Sequence, residues 1–216
     1  MNIVVVTDIH GAYANVKKIV ERELPDVLII GGDLTTVGTV KEAEEALLKF
    51  RQFTGTIFCV AGNMDLPQHD DLFVRLGVSI NGRGYVHDNI GFFGVSAAPF
   101  SPLHTPYELS EEEIAARIRN GYADVRASGR KVFVPHAPPY GTRVDIIHSG
   151  IHVGSSAVRD FIEESEPDVV ACGHIHEARG MDAIGKSCII NCGPASKGYY
   201  GLVTVADELI VIGKKY

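Results

Sequence analysis

Basic residues never gather into a run longer than a pair, such as Lys17-Lys18 or Lys214-Lys215, and the formal net charge is −7 with a pI near 5.7. Such a chain lacks the cationic face that broad polyanion binding needs, so any nucleic acid would have to be held by other means. Long apolar runs are missing too. Nothing approaches the roughly 20 residues of a membrane-spanning helix, and an apolar strand opening at Asn2 leaves no room for a charged leader and signal core. These features predict a cytoplasmic protein. The four cysteines, Cys59, Cys172, Cys188 and Cys192, lie in or beside apolar runs and form no Cys-x-x-Cys pattern, which points to buried free thiols rather than a thiolate zinc site. Repeats, low-complexity tracts and interdomain linkers are also absent. With 216 residues and 45% hydrophobic composition, residues 1–216 are expected to form one α/β domain with a substantial core.

What is present is a recurrent pattern of apolar runs that end in polar, metal-competent side chains. The run through Val6 ends in Asp8 and His10. Residues 27–30 lead to Gly31-Gly32-Asp33, residues 57–61 to Gly62-Asn63-Met64-Asp65, residues 132–135 to His136, and residues 169–172 to Gly173-His174-Ile175-His176. Five strands thus deliver oxygen and imidazole groups from their carboxyl ends, where open α/β sheets form their ligand crevice. Asp, Asn and His without cysteine suit Mn, Fe, Zn or Ni. Seven candidates, with Asp33 able to bridge, fit two ions roughly 3.5–4 Å apart.

In their order and spacing, Asp8-x-His10, Gly-Gly-Asp33, Gly-Asn63-Met64-Asp65, His136 and Gly-His174-x-His176 resemble the motifs of the calcineurin-like metallophosphoesterases. The resemblance spans residues 8–176 and rests on five motifs in the right sequence, each weak alone. It implies that Asp8, His10 and His176 bind one ion, that Asn63, His136 and His174 bind the other, and that Asp33 bridges them. It further implies an αββα sandwich of two mixed β-sheets flanked by helices, and hydrolysis of a phosphate ester by a metal-bridging hydroxide attacking phosphorus in line. Asp33, Asn63 and His174 are then the residues expected to matter most to catalysis.

Met64 departs from the common family pattern, in which a histidine assists the leaving group. Methionine has no proton to donate. The sequence therefore resembles the small, cap-less, phosphodiesterase-like members more closely, with Met64 either packing the pocket floor or touching substrate. Asp65 is expected to orient the Asn63 loop or a ligand histidine, or to be an ordinary turn carboxylate. His104, His148 and His152 lie on two long loops and are candidates for substrate contact or proton donation. Gly150-Ile-His152-Val-Gly-Ser155 resembles a family segment near the site, which favours His152. The alternative to an enzyme is a catalytically weak scaffold for protein–protein interaction, a use known for this fold; the intact ligand set argues against it. A homo-oligomer remains open.

Helical spacing follows the first strand at Val16, Ile19, Val20 and Leu24, making a βαβ unit with residues 27–30. Thr39 and Glu42 form a capping-box pattern before a helix facing inward with Val40, Ala43, Leu47 and Phe50. A strand at 56–61 and a short helix through Leu72, Phe73 and Leu76 come next. Asp88-Asn89 joins strands 85–87 and 90–95 in a tight hairpin. Residues 97–106 form a loop, and Ser110 and Glu113 cap a helix bearing Ile114, Ile118, Tyr122 and Val125, with Gly121 a weak point in it. After strand 131–135 a long loop, 137–154, leads to a helix bearing Val158, Phe161 and Ile162. Strands at 178–184, 187–191, 199–205 and 209–212 close the chain, so that two packed sheets with outer helices are expected.

Overall fold

A computed structural model describes residues 1–206 and 208–216. In chain order its first half runs β1 (Asn2–Val6), α1 (Tyr13–Glu23), β2 (Val27–Gly31), α2 (Val40–Phe50), β3 (Thr56–Val60), α3 (Gln68–Arg75), β4 (Gly84–His87) and β5 (Ile90–Val95). The second half runs β6 (Ala98–Pro99), β7 (Glu108–Leu109), α4 (Glu111–Val125), β8 (Arg130–Pro135), α5 (Ser156–Ser165), β9 (Val169–Cys172), β10 (Gly180–Ile184), β11 (Ser187–Asn191), β12 (Tyr199–Val205) and β13 (Leu209–Lys215). One sheet has the order β13-β12-β1-β2-β3 and the other β10-β11-β9-β8-β5-β4, while β6 and β7 form a small parallel pair. Both large sheets are mixed. The β1-β2-β3 and β5-β8-β9-β11 cores are parallel, and the strands outside them are antiparallel.

The apolar runs are continuous because both faces of these strands are covered. Alternate residues face opposite ways: Ile3 and Val5 join Ile29, Phe92, Val132 and Val169 between the sheets. Val4 and Val6 instead join Val16, Ile19, Ala43 and Leu47 of α1 and α2, in a cluster that also includes the α4 and α5 residues Ile118 and Phe161. The αββα sandwich expected from the motifs is therefore the architecture observed.

Local departures from the sequence reading have identifiable causes. Helix α1 stops at Glu23 because Leu24 turns into the left-handed region at φ 46°, ahead of Pro25, and its side chain is exposed rather than on the apolar face. Thr39 accepts a hydrogen bond from the Glu42 amide at 3.1 Å, but the Glu42 carboxylate takes the Tyr13 hydroxyl at 2.8 Å instead of closing a capping box. Ser110 and Glu113 do close theirs. Gly121 sits where a Cβ would meet the Arg83 backbone oxygen at 3.0 Å, so close packing of α4 on the adjoining segment explains a glycine inside a helix. Asp88 and Asn89 both have positive φ, 49° and 62°, as a two-residue hairpin turn requires. Residues 176–178 form a 3₁₀ turn, so β10 begins only at Gly180, whereas β13 extends past the expected end to Lys215. Cys59, Cys172 and Cys192 are buried and Cys188 is half-buried, all as free thiols.

Candidate metal centre

All seven candidate side chains lie just beyond the carboxyl ends of strands. Asp8 and His10 follow β1, Asp33 follows β2 and Asn63 follows β3 in one sheet; His136 follows β8, and His174 and His176 follow β9 in the other. The site is thus built where the ends of the two sheets meet. Four of the seven hold non-glycine backbones in the left-handed region: Asp8 at φ 52°, His10 at 47°, Asp33 at 51° and His174 at 67°. Such conformations cost of order 1–3 kcal/mol each and persist only where the surroundings enforce them. Here amides of one ligand loop bond to carbonyls of the next, Asp8 N to Gly32 O at 3.0 Å, His10 N to Asp33 O at 2.9 Å, and Gly173 N to His136 O at 3.0 Å.

The glycines of the motifs have a steric purpose. A Cβ on Gly32 would collide with the His136 ring, one on Gly62 with the Asp33 carboxylate, and one on Gly173 with the Asp8 carboxylate. Each glycine lets a ligand side chain from a different strand lie directly on the backbone.

The donor atoms converge in two overlapping groups. Ligand atoms of Asp8, His10 and His176 lie within 4.8 Å of one another, as do those of Asp8, Asp33 and His136. The two oxygens of Asp33 face different histidines, Oδ2 toward His10 Nε2 at 3.6 Å and Oδ1 toward His136 Nε2 at 3.7 Å. Asn63 Oδ1 meets His136 Nε2 at 3.1 Å and His174 Nδ1 at 2.8 Å.

This donor set fits cations. The His136 Nδ1 lies 2.9 Å from the Gly31 carbonyl, which can only accept, so that nitrogen carries a proton and Nε2 is the ring atom turned toward the other candidate donors. Nε2 faces the Asn63 oxygen, and both are atoms able to bind a cation. His10 is arranged alike, its Nδ1 held by Thr36 Oγ1 at 2.8 Å and its Nε2 turned inward. Charge tells the same story. Burial pushes the Asp33 carboxyl up to about 7 against the pull of His136, and the nearby Asp8 and Asp65 charges add to that push. For Asp8, burial works upward but the His176 hydrogen bond and the His136 and His176 charges outweigh it, holding the carboxyl at about 2. Burial drives His174 down to about 3, so its ring is neutral and free to donate a lone pair. Burial also lowers His10, against the pull of Asp8, whereas the bond to Asp8 raises His176.

Asp65 contacts no ligand histidine. It is fully buried and accepts from Leu34 N at 3.1 Å, Thr35 N at 2.8 Å, Thr35 Oγ1 at 2.8 Å and Gly62 N at 3.0 Å, fastening the Asp33 loop to the Asn63 loop. Met64 is half-buried, and its amide donates to Asp33 Oδ1 at 2.8 Å. His104 and His148 are exposed on their loops. His152 differs from both, since its Nδ1 sits 2.7 Å from Asp145 Oδ1, a fully buried carboxylate that also takes the amides of Gly141, Thr142 and Gly154.

Three positioning residues escape the sequence reading: Thr36, Asp145 and Asn191. The Asn191 amide nitrogen donates to Val144 O at 3.2 Å, Gly173 O at 3.3 Å and Ile175 O at 2.9 Å, tying the 137–154 loop to the His174–His176 turn. It stands at the carboxyl end of an apolar strand, so the pattern that marks the seven candidates marks it too.

Residues 1–178 match the calcineurin-like phosphoesterase family. The chain belongs to it. As a calcineurin-like phosphoesterase it is a metal-dependent phosphoester hydrolase of a dinuclear-metal family, and it carries candidate ligand groups for the ions. An uncharacterised protein of Methanocaldococcus jannaschii is 34% identical over 216 residues, covering 98% of this chain and 95% of the relative. Among solved structures, a protein of Thermus thermophilus superposes with a TM-score of 0.72 at 16% identity over 97% of each chain. A dimetal phosphatase from Danio rerio superposes with a TM-score of 0.65 at 12% identity, covering 100% of this chain and 96% of that one. At these identities the superpositions establish a shared phosphoesterase fold. Among the described residues, no helix is long and apolar enough to cross a membrane.

Proposed function

We propose that residues 1–216 act as one cytoplasmic metallophosphoesterase domain that holds two divalent ions drawn from Mn, Fe, Zn or Ni and hydrolyses phosphodiesters in preference to monoesters. Asp8, His10 and His176 hold one ion, Asn63, His136 and His174 the other, and Asp33 joins them. The observation that carries this reading is the Asp33 carboxylate, whose two oxygens face histidines of opposite groups at 3.6 and 3.7 Å. When bound, the ions supply a water ionised near neutral pH and neutralise charge on the phosphate oxygens.

The chain's own residues decide the rest. Asp65 and Asn191 hold the ligand loops in register, and the left-handed backbones keep the carboxylates and imidazoles preset, so little reorganisation accompanies the reaction. Met64 offers no proton to a departing alcohol. A diester presents one negative charge to hydroxide where a monoester presents two near neutral pH, so the site favours diesters with leaving groups of low pKa. Elemental analysis after reconstitution should return two ions per chain, and kcat/KM should favour an aryl diester over the monoester with the same leaving group. One ion or none, or a monoester preference, overturns the corresponding half of the reading.

One observation favours a second reading, monoester hydrolysis assisted by His152. Its Nδ1 is oriented by buried Asp145, which leaves Nε2 as the atom that would carry a proton to the leaving group. General acid catalysis contributes typically about 10²–10⁴ in rate. If this reading holds, His152→Ala slows esters with poor leaving groups far more than activated aryl esters; an equal effect on both excludes it.

A further inference from the structure

Asn63 has to meet partners from the opposite sheet. It follows β3 in one sheet, whereas His136 and His174, whose nitrogens lie 3.1 and 2.8 Å from its side-chain oxygen, follow β8 and β9 in the other. The backbone of its loop is divided in the same way. Gly62 N donates to Asp65 at 3.0 Å and Met64 N to Asp33 at 2.8 Å, which fastens the loop to its own sheet. The bonds of Ala61 and Asn63 run the other way. Ala61 N donates to Ser96 Oγ at 2.9 Å and Asn63 O accepts from Tyr107 N at 3.1 Å, and both partners lie on the stretch that follows β5 of the second sheet.

Ser96 and Tyr107 are in turn gathered by one carboxylate. Asp70, on α3, accepts from Ser96 Oγ at 2.8 Å, Tyr107 OH at 2.6 Å and Asn81 Nδ2 at 2.7 Å, and the Tyr107 hydroxyl takes Arg117 Nη1 at 2.6 Å. Asn81 Oδ1 also accepts the Ser96 amide at 3.1 Å, so Ser96 is gripped through backbone and side chain alike. Glu108 steadies the other side of Tyr107 by accepting from Ser101 N at 3.3 Å and Thr105 N at 2.9 Å. The Asp70 side chain is only 14% exposed. Burying a carboxylate is costly, and well-packed apolar residues often stabilise a fold as well as a buried charge pair does. Stability thus gives little reason for an acid at this place. What the acid holds gives a better one, since two of its donors are the residues bonded to the Asn63 loop. Resting on the reading that Asn63, His136 and His174 hold one of two ions, we infer that Asp70 is a positioning residue for that ion, keeping Asn63 aligned with the two histidines through Ser96 and Tyr107. An amide oxygen carries no formal charge, so its hold on a cation depends on placement. Among the described residues, none of Asp70, Ser96 and Tyr107 is bonded to Asp8, His10 or His176, the residues of the other ion.

The test is titration with Mn²⁺ by calorimetry, with elemental analysis of the loaded protein, on wild type, Asp70→Asn and Tyr107→Phe. Partners that orient metal ligands cost about 10- to 100-fold in affinity when lost, so Asp70→Asn should weaken one ion by about tenfold and leave the other unchanged. Tyr107→Phe, which removes one hydroxyl, should weaken the same ion less, and it carries the comparison alone if Asp70→Asn does not fold. A double-mutant cycle identifies the ion. Asp70→Asn should cost nothing further in an Asn63→Ala background and its full effect in a His10→Ala background. Equal weakening of both ions, no weakening of either even with a lower Tm, or losses that simply add in the Asn63→Ala background overturn the inference. Should wild type take up a single ion, the two-ion reading fails, while the positioning role stands if that ion shows the coupling to Asn63 and falls if it does not. If wild type takes up none, both fall. Coupling present in a protein that hydrolyses no phosphate ester leaves the positioning role standing and removes the hydrolase reading instead.

Discussion

Replacing Asp33 by Asn hardly alters its volume but removes the negative charge that faces both histidine groups. Partners that merely support metal ligands cost about 10- to 100-fold when lost, so Asp33→Asn should lower activity by on the order of a hundredfold or more. Elemental analysis should show fewer than two ions per chain, with an unchanged circular dichroism spectrum; full occupancy and full rate would falsify the bridging role. Asn191→Ala strips Val144 O of its donor and Gly193 N of its acceptor, while Gly173 O keeps the Ile175 amide and Ile175 O the Ala178 amide. Each uncompensated group costs about 1–3 kcal/mol, though relaxation shares that cost, so a loss of about 2–4 kcal/mol in urea unfolding is expected, with weaker metal affinity. The seven candidate ligands are legible because each is a polar residue at the end of an apolar run, a place where a structural role is hard to supply. Asn191 carries the same mark, but an amide within Asn-Cys-Gly resembles an ordinary turn and so does not stand out. Asp145 is less visible still, since its importance lies in the amides it collects, and those belong to backbone that the sequence does not position.

Among the elements, the 98–109 segment has a pH dependence of defined sign. Burial alone would raise Glu108, but the Thr105 and Ser101 bonds outweigh it and hold the carboxyl at about 2, below its usual 4.5. A depressed folded-state value means that the carboxylate stabilises the loop above about pH 4.5 and that this support fades as pH falls toward 2. Protection of the Ser101 and Thr105 amides, measured against the intrinsic exchange rate at each pH, should fall over that interval in wild type and be low at every pH in Glu108→Gln; a flat wild-type protection profile contradicts the assignment. At the start of α4, Ser110→Ala removes one half of a complete capping box and should cost about 1 kcal/mol by denaturant unfolding. Helix and strand positions are largely readable because apolar periodicity fixes which face must be buried. Helix ends are less so. Whether Glu42 closes a box depends on Tyr13, a residue 29 positions away, and where α1 stops depends on the backbone of Leu24 rather than on its apolar character.

For the molecule as a whole, the candidate ligands come from both sheets, so ions held by them would tie the sheets together. A ligand present at about 100 times its dissociation constant stabilises the folded state by about 2.7 kcal/mol. At about 2–4 °C per kcal/mol for a chain of this size, chelation should lower Tm by roughly 5–10 °C, and adding the metal back should restore it. A Tm indifferent to chelation contradicts a centre shared by the two sheets. The order of strands carries one more consequence, for the protein while it is being made. Strand β1 lies between β2 and β12, and its outer partner places Val203 opposite Ile3. At about 5–20 residues per second, the ribosome takes on the order of 10–40 s to travel between those two positions. Throughout that time one edge of β1 has no mate, and an open apolar edge invites pairing with other chains. That edge is closed only when the last hairpin, β12 and β13, has emerged.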